Sequence, residues 1–482
     1  MTARAGRLAS HTTILMGMEL GVRFLDALIS VFLARYLAPE GFGLLAFALS
    51  FAWLFSILPG AGMWSLSTRD VARSPDQLSR YLSNGLCAKA LLAALTCLVM
   101  WITTLTPGFQ ADKRSFVMLA GWLMILETTV KYTLSFFQAA QRMTMVAMVS
   151  LGLRLGWTLS SIAVMLWHGG VADLLVARVA VTIVWLIASV VLIEWKLQRI
   201  TWSVDLGFIW RMLQASWPFA LFYLYGTVYA DLSTVVLSAM RGDIVTGWFA
   251  AGQKVLRLLV FIPNGFFGAL LPAMSRASSN ARPQLISTLA RSCKYLLLIG
   301  LPIAGGAWVV AEPVVAMLYG PSYHETVQVL QVLSWSIPLT FLNWALAATV
   351  MAVNQERRGS AYLLVGVVCC AIGNLLTVPR WGVLGASVSS VIAEAAVLAV
   401  QLELVHRVLP EARPLAEVAR PLAATAVMMA VAWTIRWLPL PLLIAASAMV
   451  YVAALIAVRA VGREEWSLLA GMLRLKASPE SS

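Results

Sequence analysis

Residues 11–37 read HTTILMGMELGVRFLDALISVFLARYL, and this stretch decides the fold. It is long and apolar enough to cross a bilayer, for which about 20 residues suffice. Glu19, Arg23 and Asp26 interrupt it. Their spacing of i, i+4 and i+7 puts all three on one side of a helix. Each ionised group at the bilayer centre costs roughly 2.5–3.5 kcal/mol, so a lipid-facing triplet would cost about 10 kcal/mol before any mutual pairing. The helix can span only if that side faces a polar interior. The segment implies an all-α, polytopic helical bundle around a wet cavity, with transport as the function class.

The rest of the chain agrees. Of its 482 residues, 60% are hydrophobic and only 12% charged, and the mean hydropathy is +0.83. Soluble domains carry about 25% charged residues. Arg4 and Arg7 precede the first span without a small-residue cleavage site, and the charged triplet spoils a signal-peptide core, so a retained first span is expected. The net charge of +13 sits in short loops between apolar segments, which fits membrane topology rather than nucleic-acid binding. The five cysteines all fall inside apolar spans and form no disulfide framework, and neither they nor the four scattered histidines have metal-ligand spacing.

Fourteen spans are expected, at about 12–35, 42–66, 78–104, 115–138, 143–167, 171–194, 214–239, 245–271, 285–310, 327–352, 359–378, 383–405, 418–437 and 440–459. This alternation places 22 loop-side basic residues on one side and 6 on the other, so both termini should be cytoplasmic. The sequence also repeats. A shift of 204 residues sets Gly43 on Gly247, Ala46 on Ala250 and Pro59 on Pro263, and a shift of 212 sets Gly170-Val171 on Gly382-Val383. The repeat pairs span 1 with span 7, so both copies cross in the same direction about an axis along the membrane normal. The expected organisation is two six-helix lobes, 1–200 and 201–408, followed by two additional helices and a cytoplasmic tail over 409–482. Pro59 and Pro263 lie deep in spans 2 and 8, where proline removes a helical hydrogen bond. They are fixed bends or candidate hinges for alternating access.

Seven basic residues fall within spans. Lys131 and Arg178 lie only about two turns from a span end, where long side chains snorkel, and Lys131 follows Glu127 by four residues, an expected helix ion pair. Arg23, Lys89, Arg154, Lys254 and Arg257 are deeper and should face the interior. Lys254 and Arg257 share a helix face at i, i+3. Deep acids available to neutralise them are Glu19, Asp26, Asp231 and Glu394. Asp231 could pair with Arg257, and Glu19 with Arg23. The competing reading is a cationic lining. One unpaired cation in a low-dielectric site attracts phosphate strongly, and arginine grips phosphate oxygens bidentately, which suits a diphosphate. No catalytic constellation and no nucleotide-binding motif is present, so the expectation is a non-enzyme without cofactor. Any pumping must use an ion gradient or the membrane potential, which makes Glu19, Asp26 and Asp231 candidate ion or proton carriers.

Three stretches resemble the polysaccharide-transport (Wzx-type flippase) family of the multidrug/oligosaccharidyl-lipid/polysaccharide exporter superfamily: ARYLAPEGFGLLAFALSFAWLFS from Ala34, LYGPSYHETVQVLQVLSWSIPLTFLN from Leu318, and GNLLTVPRWGVLGASVSSVIAEAAVL from Gly373. Ala38 stands where glycine is commoner in the first motif, and the change is read as harmless at a turn. The resemblance implies a two-lobed bundle that alternates between inward- and outward-open states. It implies flipping of undecaprenyl-diphosphate-linked oligosaccharide across the bacterial cytoplasmic membrane, for O-antigen, capsule or exopolysaccharide. The family's cationic cavity maps by helix and depth onto Arg23, Arg154, Lys254 and Arg257, with Lys89 a further substrate-binding candidate. Tyr223, Tyr225 and Trp248 are candidate stacking partners for sugars. Implied partners are the lipid-linked anionic oligosaccharide, membrane lipid, and a polysaccharide polymerase with other assembly proteins. Three alternatives stay open: a lipid II flippase, a cation-coupled multidrug exporter of the same superfamily, and a non-transporting scaffold of a polysaccharide assembly complex.

Overall fold

The computed structural model describes residues 2–60, 62–107, 109–259, 270, 274, 277, 282–353 and 356–460, and the backbone alone for 2–20, 22–24, 218, 219, 221–225, 259 and 356–363. The described chain is helical and contains no strand. In chain order the helices are α1 (Thr2–Leu54), α2 (Ile57–Gly60), α3 (Met63–Arg73), α4 (Leu78–Thr103), α5 (Arg114–Ala139), α6 (Met143–Leu166), α7 (Val171–Lys196), α8 (Leu206–Arg241), α9 (Asp243–Leu259), α10 (Arg282–Tyr319), α11 (Thr326–Leu333), α12 (Ser336–Ala352), α13 (Glu356–Trp381), α14 (Val383–Val408), α15 (Ala419–Thr434) and α16 (Leu440–Ala457). Each of the fourteen expected stretches overlaps a described helix. Ten spans among the described residues are long and apolar enough to cross a membrane.

Helix α1 is two helices joined at Ala38, where φ is 55° and ψ 177°. Gly242, which follows α8, has φ 83° and ψ −179°. The two positions are 204 residues apart, the repeat offset, and the chain makes the same turn at both. This backbone region is nearly exclusive to glycine and costs other residues about 1–3 kcal/mol. Alanine at 38 is therefore strained, which corrects the harmless reading taken from the sequence.

The two turns deliver a close helix crossing. The second half of α1 and helix α9 meet at Gly43 and Gly247. A Cβ on Gly43 would lie 1.8 Å from the Asp243 carbonyl oxygen, and one on Gly247 would lie 2.0 Å from the Pro39 carbonyl oxygen. Pro39 and Asp243 are themselves 204 apart, so each glycine presses on the repeat-equivalent carbonyl of the other copy. Glycines at such positions let two membrane helices approach backbone to backbone. The crossing is tied at its end by Lys113, whose Nζ lies 2.6 Å from Asp243 Oδ1 and 3.0 Å from Ser238 Oγ. The same ammonium stands 4.9 Å from the centroid of Phe47.

By compactness the chain forms two units. The first comprises Met1–Leu258, Tyr319–Thr326 and Leu363–Ala393. One of its cores gathers Leu45, Phe47, Ala48 and Ala52 of α1 with Val117, Leu123 and Met124 of α5 and Leu175 of α7. A second packs Met63 and Leu66 of α3 and Leu82 of α4 against Tyr132 and Phe136 of α5 and Phe208 of α8. The long connection after α7 is held polar group by polar group: the Asp205 amide donates to Asn84 Oδ1 at 2.7 Å, and Ser83 Oγ donates to the Ser203 carbonyl at 3.0 Å. Asp205 caps α8 by accepting from the Phe208 amide at 2.9 Å. That amide, with Arg80 beside it, holds the Asp205 carboxyl below its ordinary value. The 319–326 segment docks in this unit through Tyr323, whose buried hydroxyl donates to the Ala34 carbonyl at 2.7 Å.

The second unit comprises Leu259–Leu318, Val327–Tyr362 and Glu394–Ser482. Its C-terminal hairpin, α15 and α16, joins Ala424, Met428, Tyr451 and Leu455 in one buried cluster. Tyr451 donates to the Leu298 carbonyl of α10 at 2.9 Å. Within this unit Asn343 Nδ2 donates to Glu394 Oε2 at 2.6 Å, so that deep acid is engaged.

The span 2 proline, Pro59, lies where the helix breaks. The chain turns at Phe55 and Ser56, makes the single turn α2, and resumes as α3 behind Gly62 at φ 66°. Pro263 is outside the described residues.

The crossing and its turns make two predictions. Gly43→Ala must push the helices apart, and overpacking of this kind costs about 3 kcal/mol. Heated, detergent-solubilised protein should lose its monodisperse peak at a clearly lower temperature than wild type. Ala38→Gly removes strain at the price of some unfolded-state entropy, and a net gain of about 1 kcal/mol should raise the temperature in the same assay.

Candidate functional site

Helix α9 is two-faced. Phe249 and Leu256 are buried on one side, while Lys254 and Arg257 are exposed on another. Both lie in the deeper half of the helix, seven and ten residues past Gly247. Asp231 of α8 and Asp26 of α1 sit about three turns before the turns at Gly242 and Ala38. The glycine crossing therefore brings charged residues of both repeat copies into one neighbourhood, inside the first compact unit.

Three ion pairs form there, and they differ in tightness. Arg178 of α7 donates to Glu127 Oε1 of α5 from Nη2 at 2.6 Å and from Nε at 3.0 Å. Its guanidinium lies 4.7 Å from the centroid of Trp157, and its side chain is only 15% exposed. This pair is locked. Arg154 of α6 reaches Asp26 with Nη1 3.2 Å from Oδ2. Arg257 is the loosest: its Nη2 is 3.7 Å from Asp231 Oδ1, and its side chain is 52% exposed. It also leans on the Ala230 carbonyl at 3.3 Å and on Gln253 Oε1 at 3.4 Å, all beyond the usual N–H···O range of about 2.7–3.2 Å. Asp231 Oδ1 is meanwhile held by Ser50, whose Oγ donates to it at 3.0 Å.

Lys254 stands differently. The charges of Arg257, Arg178 and Arg154 repel it and that of Asp26 attracts it. Among the described residues its ammonium makes no hydrogen bond or ion pair. Among the described side chains four cations thus meet three carboxylates, and the surplus positive charge resides on Lys254, an exposed residue. The shift of 204 that relates the repeats sets Ser50 on Lys254 and Ala27, next to Asp26, on Asp231. Ser50 bonds to Asp231 in one half, and Lys254 feels Asp26 in the other. The cluster follows the internal symmetry, with a hydroxyl in one copy and an ammonium in the other.

The structure thus brings together Arg154, Lys254, Arg257, Asp26 and Asp231 from the sequence-based set. The side chains of Glu19, Arg23, Tyr223 and Tyr225 lie outside the described residues. Lys89 is placed apart: it is buried on α4, where its Nζ donates to the Pro59 carbonyl at 2.5 Å, and it shares a small cleft with Trp64, Lys131 and Tyr132. It satisfies a carbonyl at the break in span 2. Lys131 rests over Trp64, its Nζ 4.4 Å from the ring centroid, and Glu127 accepts from Arg178 across α5 and α7. Trp248 sits at the crossing, its Nε1 donating to the Ser322 carbonyl at 2.9 Å. Two participants went unread in the sequence, Ser50 and the Glu127–Arg178 pair. The repeat offset could have found Ser50. Among the described residues no cluster of His, Cys, Asp or Glu could hold a metal ion.

The chain is similar to several known proteins. A family model described as polysaccharide biosynthesis protein matches residues 8–278. The capsular polysaccharide biosynthesis protein CapF of Staphylococcus aureus is 21% identical over 178 residues, 37% of this chain and 45% of that protein. The probable low-salt glycan biosynthesis flippase Agl15 of Haloferax volcanii is 19% identical over 171 residues, 35% of this chain and 36% of that protein. The chain thus spans less than half the length of these curated relatives. Among solved structures, the inward closed conformation of the lipid II flippase MurJ superposes with a TM-score of 0.78 at 12% identity, covering 93% of this chain and 99% of that one. An inward-facing multidrug resistance MATE family transporter of the MOP superfamily superposes with a TM-score of 0.65 at 13% identity, covering 81% and 94%. These structures establish the fold as that of this group of membrane transporters.

The tight pair yields a prediction about stability. Removing one partner of a buried ion pair costs about 3–5 kcal/mol because the other charge is stranded. Arg178→Ala should lower the level of folded protein in membranes, and Arg178→Ala with Glu127→Gln should recover much of it, as read by size-exclusion of the tagged protein. Lys254→Ala should leave that level unchanged.

Proposed function

The chain belongs to the polysaccharide biosynthesis protein family, and from that premise we propose that it is a flippase. Its cargo is an undecaprenyl-diphosphate-linked oligosaccharide, carried across the bacterial cytoplasmic membrane by alternating access for the assembly of O-antigen, capsule or exopolysaccharide. The observation that supports this reading best is the surplus cation. An exposed ammonium at mid-span is costly against lipid and serves well against a diphosphate. Lys254 supplies the uncommitted charge, and the exposed Arg257 and half-buried Arg154 stand beside it with guanidinium groups that fit phosphate oxygens.

In this reading the two repeat lobes, 1–200 and 201–408, move against each other while the diphosphate stays among these residues. The sugar follows through the polar interior and the polyprenyl chain remains in lipid. Both termini face the cytoplasm, as the basic-residue bias requires. Residues 409–482 add a helical pair and a tail. Polysaccharide polymerase and other assembly proteins would receive the product. Coupling would use the carboxylates of Asp26 and Asp231, with no cofactor and no chemical step. An exporter of organic cations is disfavoured, since a positively charged cluster repels its cargo.

Complementation tests the proposal. Replacing Lys254 and Arg257 together by alanine removes two charge-assisted contacts, and surface polysaccharide should fall more than about tenfold at unchanged membrane levels. Lys254→Arg should retain export. Wild-type export by the double variant would remove these residues from the mechanism.

A further inference from the structure

Arg257 and Ser50 address the same atom, Asp231 Oδ1. The serine hydroxyl reaches it at 3.0 Å, a full hydrogen bond, whereas the guanidinium stays at 3.7 Å. Ser50 is itself buried, with 8% exposure, and it projects from the second half of α1, whose position is pinned by the Gly43–Asp243 contact about two turns away. The hydroxyl is thus fixed and the arginine is not. A carboxylate that depended on Arg257 alone would draw the guanidinium in, as Glu127 draws Arg178 to 2.6 Å. Here the carboxylate already has a donor.

We propose that Ser50 is a positioning residue for anion binding: its hydroxyl satisfies the Asp231 carboxylate and so leaves the Arg257 guanidinium available to a phosphate group. This rests on the reading of the site as a diphosphate site and adds the device by which one of its cations is kept from its own acid. The internal symmetry sharpens the point. The equivalent of Ser50 is Lys254, so one copy contributes the cation that has no partner among the described residues and the other the hydroxyl that releases a second. The phosphate contacts then come from the α9 side, and Ser50 acts through Asp231 without touching the ligand.

The test is calorimetric titration of the full chain in lipid nanodiscs with inorganic diphosphate. Ser50→Ala returns Arg257 to Asp231, and Kd should rise roughly tenfold, the worth of one hydrogen bond to a charged group. Ser50→Thr keeps the hydroxyl and should restore wild-type affinity. In an Asp231→Asn background, Ser50→Ala should leave Kd unchanged, because no carboxylate competes for the arginine. A Ser50→Ala effect that persists at full size in that background overturns the proposal, since the serine would then act through packing. Wild-type affinity in Ser50→Ala, with binding still lost in Arg257→Ala, overturns it too while sparing the diphosphate site. If Arg257→Ala binds as wild type does, the diphosphate site falls and the role of Ser50 with it.

Discussion

The contact of Gly43 with the Asp243 backbone, and of Gly247 with the Pro39 backbone, sets the distances on which the charged cluster depends. Any larger side chain would overlap a carbonyl oxygen. Seven residues further along each helix stand Ser50 and Lys254, about 10 Å deeper at 1.5 Å per residue. At that depth the first half of α1 and helix α8 present Asp26 and Asp231. Two left-handed turns, at Ala38 and Gly242, aim the helices at each other. Strain at one of them is the cost of keeping alanine there.

The charges arranged by this crossing are graded rather than uniform. Arg178 is locked between Glu127 and Trp157 and shapes the bundle. Arg154 holds Asp26 at 3.2 Å. Arg257 hovers over an acid already bonded to Ser50, and Lys254 stands without a described partner. Pairing lowers the cost of burying most of the charge, as it must in a membrane interior. What pairing leaves over is positive, and it sits on the least enclosed side chains. In the proposed function that surplus is what a diphosphate would meet.

Much of this was legible in the chain. Apolar runs of bilayer length pointed to the all-α architecture. The offset of 204 announced the repeat, and the structure gives it a physical form in the reciprocal glycines. Depth set Arg178 apart as a residue that would snorkel, yet it is held in an ion pair with Glu127 in the same neighbourhood as Lys254. Partner choice was less legible. Glu127 lies four residues from Lys131 on its own helix, yet it bonds to Arg178 of α7, since two N–H groups of one guanidinium outcompete a single ammonium. Lys89 looked as deep as Lys254, but the break at Pro59 puts an orphaned carbonyl within its reach. Ala38 looked like an ordinary residue in a turn, and only its dihedral angles reveal the conformation that glycine supplies in the other copy. Ser50 carries no charge, so a search for charges passed over it.

The central claim is that mid-span cations of α9 grip a diphosphate beside the repeat axis. A map of the full chain in nanodiscs with undecaprenyl diphosphate bound tests it most directly. The account predicts phosphate oxygens at about 2.7–2.9 Å from Lys254 Nζ and from the Arg257 guanidinium, with Asp231 retained by Ser50. A diphosphate located elsewhere, with Arg257 closed onto Asp231 and Lys254 left facing water or lipid, would contradict it.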